Sequence, residues 1–426
     1  MTPFATSPTR RRPAARMVVL TLAVAVALGL VSHSRADATP ETLPLGDPDL
    51  EETRSTQTLA EGVTLTRIVR GTEPAQQDQI NTTTRGPWRV HVLTIDPDVA
   101  SGSLQATYGP DLARVEKTTD LVRLAGALAG VNASFFTFTA NPEFPGDPVG
   151  LGLYDGELLS EPTSIRNEAD LVVDANTDEV LMGHLTWSGE MRSQRSGKRL
   201  PLEFLNHPPV VPAGCADLPD QTRCDQPGDL VHFTPEFGAA TPSGRGVEVV
   251  LDRRGCVVRT ADNRGTPLAP EQTSLQATGS DAASLLNLTK RGCLNRSVTL
   301  SDESGEQLPL RQGMFGVNGR YQLTADGRIV VPNGSGSFFD RNPRTIAGTT
   351  QDGTIMLATI DGRRTTSVGT TMDETAAVAD ALGMHTAINL DGGGSTAMSV
   401  DGDLVNQPSG TTERAVGDAL VYVGAG

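Results

Sequence analysis

The sequence predicts a strand-rich α+β protein: a large mixed β-sheet core, a few helices packed on it, and a disulfide-bearing insertion. Three observations point there. Glycine and proline number 45 and 28 in 426 residues, about one residue in six, which suits short strands joined by tight turns. Apolar and polar residues alternate in several stretches, as strands require. Helical spacing recurs in two places only. With 35 Lys and Arg against 51 Asp and Glu the formal charge is −16. A nucleic-acid partner is therefore not expected, since phosphate-backbone binding needs clustered cations.

The first 36 residues read as an export signal. Arg10, Arg11, Arg12 and Arg16 precede an apolar stretch, residues 17–31, and Ser34 and Ala36 supply the small residues of a cleavage site. A retained membrane anchor is the competing reading. Removing the five arginines of this segment takes the charge from −16 to −21. No later tract is long and apolar enough to span a membrane, so a secreted, extracellular protein is expected, without membrane contact once the signal is removed. Cys215, Cys224, Cys256 and Cys293 would then meet an oxidising compartment. Pairing neighbours, Cys215 with Cys224 and Cys256 with Cys293, closes the shorter loops. A zinc site is disfavoured because CxxC spacing is absent.

Residues 37–60 lack apolar periodicity and read as a flexible leader, so the folded domain is expected over 61–425. Residues 64–69 and 88–95 alternate as strands, and Asp96-Pro97-Asp98 ends the second. A helix follows, with start signals at Thr118, Thr119 and Asp120, an apolar face of Leu121, Leu124, Ala125 and Leu128, and a stop at Gly130. It feeds a short buried strand that carries Asn132. The same order returns late in the chain. Thr371-Met372-Asp373-Glu374 is a capping box, Ala377, Val378, Ala381 and Leu382 form the apolar face, and Gly383 stops the helix. Residues 386–391 then form a strand that carries Asn389. These two strands are expected side by side in one sheet, with the asparagines at comparable height. Residues 175–315 hold the cysteines and look like an insertion or subdomain. Hairpins are expected for residues 344–350 with 354–360 and for 397–400 with 404–405. The last strand is residues 419–423.

Familiar catalytic patterns are missing: there is no HExxH, no GxSxG and no Walker lysine. The six histidines are scattered. Chemistry must rest on Asp, Glu, Arg, Asn and backbone amides. The densest candidate is Asn389-Leu390-Asp391-Gly392-Gly393-Gly394-Ser395-Thr396. Consecutive glycines cost backbone entropy, and close approach of a ligand to exposed N–H groups is a reason to keep them; a plain tight turn is the other reading. Arg344, opening a strand after Asn342-Pro343, suits bidentate phosphate binding or a strand-end ion pair. Asp361-Gly362-Arg363-Arg364 is a turn signal that offers a further Asp/Arg pair. Glu413-Arg414 reads first as a structural pair.

Taken together, Asn132-Ala133-Ser134-Phe135-Phe136, Pro343-Arg344-Thr345 with Gly348, Asp361-Gly362-Arg363 and Asn389-Leu390-Asp391-Gly392-Gly393-Gly394-Ser395 resemble the phosphodiester glycosidases. The resemblance spans roughly 85–425, apart from the cysteine-bearing middle. Ser134 stands where that family usually has glycine. The resemblance implies cleavage between the anomeric carbon of a sugar, N-acetylglucosamine or a relative, and a phosphodiester oxygen, releasing free sugar and a phosphomonoester. Phosphate leaves readily, so a strong general acid is dispensable; charge stabilisation on phosphate and a carboxylate near the anomeric carbon are not. On that reading Arg344, the amides of Gly392, Gly393 and Gly394, and the Ser395 hydroxyl hold the phosphate. Asp391 is base or nucleophile, and Asn132 and Asn389 bind the sugar or orient Asp391. Thr345, Phe135, Asp361, Arg363, Glu413 and Arg414 complete the substrate-binding set. No cofactor is required, and a structural calcium is compatible. Two other classes stay open: a non-catalytic binder of anionic cell-wall polysaccharide, and a metal-dependent phosphodiesterase splitting the P–O bond.

Overall fold

The computed structural model describes residues 42–290 and 292–425; the expected signal, and residues 37–41 of the expected leader, lie outside them. Among the described residues strands dominate, with three α-helices beside them. The largest sheet has eight strands, in the order Glu52–Ala60, Val63–Arg70, Trp88–Ile95, Ile355–Ile360, Arg344–Thr349, Thr386–Asn389, Gln322–Ala325 and Arg328–Ile329. Its ladders are all antiparallel, where a mixed sheet was expected; three helices, none longer than 11 residues, are few for parallel crossovers.

Period-two alternation gives this sheet two apolar faces. Leu65, Leu93, Leu357, Ala347 and Ile388 stand in one cross-strand row and belong to the central core. That core also takes Leu104, Val131, Met398 and Leu420 from a second sheet, and Leu171, Val173 and Val317 from a third. The neighbouring row, Val92, Ala358 and Ile346, faces the opposite way, against helix α3 (Met372–Ala381) and the buried Leu43 and Leu45. The α3 capping box forms as expected: the Thr371 hydroxyl accepts from the Glu374 N–H, and the Glu374 carboxylate accepts from the Thr371 N–H.

Three further expectations are corrected. Leu43 and Leu45 are already buried in the fold, and residues 52–60 form the edge strand of the large sheet. Its side chains are mostly Thr, Ser, Gln and Glu, exposed on both faces, so apolar periodicity had nothing to reveal. Helix α1 spans only Thr118–Leu124 and buries Leu121 and Val122, while Leu124 is 63% exposed; Gly126, at φ +62°, ends it before the expected apolar stripe completes. Finally, the two asparagine strands do not share a sheet. Ala129–Asn132 lies between Met398–Val400 and Ala419–Val423 in a five-stranded sheet, whereas Thr386–Asn389 belongs to the eight-stranded one.

The cysteine-bearing middle builds two further sheets, between Thr186 and Leu308, and helix α2 (Gly279–Thr289). It has its own apolar cluster, which continues into Leu153 and Leu158 of the adjoining five-stranded sheet and into Leu151 just before it. Cys215 is bonded to Cys224 and Cys256 to Cys293, the pairing expected from loop length.

Candidate active site

Alternation along Arg344–Thr349 decides what its first residues can do. Thr345 shares a face with Ala347, toward the central core; Arg344 shares a face with Ile346, toward α3. Arg344 is accordingly 2% exposed. Its Nε donates to the Thr370 carbonyl at 3.2 Å, and one terminal nitrogen donates to the carbonyls of Phe338 and Asp340 at 2.7 and 2.9 Å. Burial, and then the charge of Arg363, push its guanidinium down to about 10. This arginine ties the 338–340 loop to the start of α3; its Nε and one terminal nitrogen are engaged by the protein, and its side chain is buried.

Asn132 is also structural. Its Nδ2 donates to the Asp391 carbonyl at 2.7 Å, and its Oδ1 accepts from the Thr345 hydroxyl at 2.7 Å and the Ala397 N–H at 3.0 Å. Neither Asn132 nor Thr345 is exposed, so neither can touch a sugar. Together they pin the backbone on both sides of the triple-glycine bend. Asn132 thus does reach Asp391, across two sheets. Asn389 pairs with Ile346 in register, on the α3 side, and its buried Oδ1 has no partner among the described residues.

Asp391 stands at the end of strand Thr386–Asn389, with its N–H on the Ala133 carbonyl at 2.9 Å. The residue is half-buried. Burial pushes its carboxyl up to about 6, against the Ser395 hydroxyl, the Arg414 charge, the Gly392 N–H and the Arg320 charge, all of which favour the ionised form. The Gly392 N–H donates to Oδ1 at 3.0 Å, and the Gly393 N–H donates to the Pro343 carbonyl at 2.9 Å. These two amides are engaged within the protein, contrary to the expected phosphate cradle. The glycines have another cause. A Cβ on Gly392 would lie 2.8 Å from the Pro343 oxygen, and one on Gly394 would lie 2.2 Å from an Arg414 terminal nitrogen. Their bareness lets strand and guanidinium close on the bend.

The cations at the bend are Arg414 and Arg363. Arg414 is half-buried, with NH1 3.4 Å from the Ser395 oxygen and its head 4.7 Å over the exposed Phe138 ring. Arg363 is exposed, at φ +58°. Two of its nitrogens donate to Asn342 Oδ1 at 3.1 and 2.7 Å, and NH2 would lie 3.1 Å from a Cβ on Gly393. Burial and the Arg414 charge lower its affinity for its proton, so the two heads repel. Among the described residues neither has a carboxylate at ion-pair distance. Two such guanidiniums beside one carboxylate make an anion site. Arg320, which the sequence did not single out, adds a third: it lies 4.5 Å over Phe135 and is paired with Glu168 at 3.1 Å. No motif marks it, because it follows a strand from another sheet.

Two expected ligands serve structure instead. Asp361 is buried and accepts from Asn406 Nδ2 at 3.0 Å and the Gln407 N–H at 3.1 Å. Glu413 accepts from the Thr119 N–H at 3.0 Å and hydroxyl at 2.8 Å, capping α1. Ser134 donates from both N–H and hydroxyl to Asp418, each at 2.6 Å, which accounts for a side chain where glycine was expected. Among the described residues no group of three His, Cys, Asp or Glu side chains could hold a metal ion, and no helix is long and apolar enough to cross a membrane.

Residues 245–423 match the phosphodiester glycosidase family. The matched region contains Arg320, Arg344, Arg363, Asp391 and Arg414; the motif at 132–136 lies outside it and joins it in space through Asn132. A Burkholderia pseudomallei K96243 protein described as a "putative exported protein" superposes with a TM-score of 0.75 and 29% identity, covering 90% of this chain and 98% of that one. A hypothetical protein from Synechocystis shares the fold, with a TM-score of 0.67 and 20% identity over 87% of this chain and 64% of that one. A zebrafish N-acetylglucosamine-1-phosphodiester α-N-acetylglucosaminidase catalytic domain aligns with a TM-score of 0.42 and 13% identity, too loosely to carry residue roles across. A Bacillus subtilis strain 168 protein, the SPbeta prophage-derived uncharacterized protein YomE, is 39% identical over 80 residues, 19% of this chain and 12% of its own length.

Proposed function

We propose that the protein is a secreted hydrolase that cleaves the bond between the anomeric carbon of a sugar, N-acetylglucosamine or a relative, and a phosphodiester. Free sugar and a phosphomonoester are the products. One observation carries this reading: the half-buried Asp391 carboxylate faces a bend over which Arg363 and Arg414 lie without carboxylates of their own. In the reaction the two guanidiniums hold the phosphate and stabilise the charge that gathers on it as the C–O bond breaks. Asp391, ionised above about pH 6, receives the proton of the attacking water or bonds to the anomeric carbon itself. No general acid is needed for the departing phosphate, and the reading uses no cofactor.

Arg344, Asn132 and Thr345 act as positioning residues behind this front. The family match and the "putative exported protein" neighbour support glycosidase chemistry outside the cell. The test is product analysis on an N-acetylglucosamine-1-phosphodiester. Free sugar with phosphomonoester, undiminished by chelator and lowered at least 100-fold in Asp391→Asn, supports the proposal. A sugar phosphate lost on chelation would establish a metal-dependent phosphodiesterase, and binding without turnover would establish a polysaccharide binder.

A further inference from the structure

A second concavity lies beside the site, at the junction of the body and the cysteine-bearing insertion. It encloses about 580 Å³, within the range of small-ligand pockets. Trp187 and Phe204 come to it from the insertion; Val149, Glu161 and Ile165 come from the body; His207 closes one side. The Trp187 ring lies across Gly189, where a Cβ would stand 2.5 Å from its Cζ3. The six-membered part of the ring therefore folds back over its own strand.

The polar groups are few and set in place. Glu161 Oε2 accepts from the Leu205 N–H at 2.8 Å, and burial pushes its carboxyl up to about 8, so it is a proton donor at neutral pH. His207 Nδ1 lies 2.7 Å from Asp147 Oδ2, and Asp147 is buried, which leaves the other ring nitrogen for a ligand. No Lys or Arg lines the cavity, and His207, whose affinity for a proton is raised, against burial, by Asp147, has that carboxylate as its counter-ion, so an anion finds no unpaired counter-charge. The acids Glu161 and Glu203 are both driven toward their neutral forms, chiefly by burial, so a cation finds little. Aromatic walls with a few donors and acceptors and no unpaired charge suit a polyhydroxylated ring that has an apolar C–H face.

The cavity shares its wall with the active site. The Val149 N–H donates to the Phe135 carbonyl at 3.0 Å. The Thr163 hydroxyl donates to Glu168 at 2.7 Å, and Glu168 pairs with Arg320, which lies over Phe135. We propose that this cavity is a second carbohydrate subsite, taking a neutral pyranose ring of the substrate beyond its phosphate, with the ring face on Trp187 and its hydroxyls on Glu161 and His207. The assignment of that ring to the substrate rests on the proposed reaction; binding by the cavity does not.

The test is saturation-transfer NMR on the mature chain with methyl glycosides of glucose, galactose and N-acetylglucosamine as probes. At least one is expected to bind saturably, with Kd on the order of 1–10 mM. Trp187→Ala, and separately Ile165→Glu at a rim position 59% exposed where folding is not at stake, should each weaken it at least tenfold. Glu161→Gln should bind as the parent does, because the amide keeps a donor and an acceptor, whereas Glu161→Ala should not. No transfer to any of the three glycosides, equal transfer to cyclohexanol, or unchanged binding in Ile165→Glu would overturn the subsite. Binding that persists in a protein unable to hydrolyse any sugar-1-phosphodiester upholds the subsite and overturns the reaction.

Discussion

Replacing Arg414 by methionine separates two roles that the geometry gives one guanidinium. The first is to hold negative charge on the departing phosphate; removing one such donor from a preorganised site costs about 10²–10³ in rate, roughly 2.7–4 kcal/mol. The second is to keep Asp391 ionised. Arg414 ranks after burial and the Ser395 hydroxyl among the influences on that carboxyl, so its removal should raise the carboxyl by about one unit, the low end of what a nearby opposite charge does. The sign follows from the base being active when ionised: activity falls as pH drops through its pKa. The parent's kcat/KM should therefore show its acid limb at about pH 6, and the variant's limb should stand about one pH unit higher. At pH 7 that shift alone reduces the ionised fraction from about nine tenths to about one half, less than a twofold loss. Nearly all the deficit at pH 7 must then persist on the alkaline plateau. The cation–π contact with Phe138 contributes only about 0.5–1 kcal/mol, so the denaturant midpoint should hardly move. Full pH–rate profiles of both proteins are the assay. A plateau within threefold of the parent, with the limb unmoved, would refute Arg414 as part of the site.

Other variants read the residues behind this front. Asn132→Ala leaves the Thr345 hydroxyl, the Asp391 carbonyl and the Ala397 N–H without their buried partner, and should lower unfolding free energy by about 2–4 kcal/mol in denaturant titration. Arg344→Met should cost a similar amount by unmaking three carbonyl contacts, while the surviving folded enzyme keeps its acid limb at about 6 in a pH–rate profile. Burial pushes Glu161 and Asp170 up to about 8 and Asp361 up to about 6. The folded chain therefore holds protons that the unfolded chain releases near pH 4, and stability should fall as pH rises from about 4 to 8. Thermal melts at pH 5 and pH 8 should show the gap, and Glu161→Gln should narrow it.

The large sheet shows how far the sequence reached. Trp88–Ile95 and the hairpin of Arg344–Thr349 with Ile355–Ile360 were legible because alternation is a local property, and here each face meets a different apolar cluster. The capping box was legible for the same reason. The polar edge strand Glu52–Ala60 was not, since it is specified by its partner rather than by its own side chains. At the site, the bend that carries Asp391 and the glycines stood out in the sequence, but the cause of the glycines did not. Crowding by Pro343 and Arg414 arises between segments far apart in sequence. The role of Arg344 failed on a finer point. Its strand was right, and two-residue periodicity then places its side chain on the face toward α3, which could be seen only once the sheet had neighbours on both sides.

The same geometry sets an electrostatic conflict with a measurable outcome. The chain carries a formal charge of −16, yet its proposed site presents Arg363 and Arg414 to solvent and asks an anion to approach. The guanidiniums act at contact, within a few ångström, where salt screens little; the net charge acts over tens of ångström, where salt at about 0.1 M screens beyond roughly 10 Å. A small monoanionic phosphodiester responds mainly to the first field, and a polymer with many phosphates responds strongly to the second. Raising NaCl from about 20 to about 200 mM shortens the screening length severalfold. It should therefore raise kcat/KM for a polyanionic substrate, by relieving repulsion far from the site, and change it less than about twofold for the small one. Initial-rate measurements on the two substrates in parallel distinguish the fields. A steep fall with salt for the polymer would mean that cations outside the site govern its capture, and the pair at the triple-glycine bend would no longer suffice to explain how phosphate is recognised.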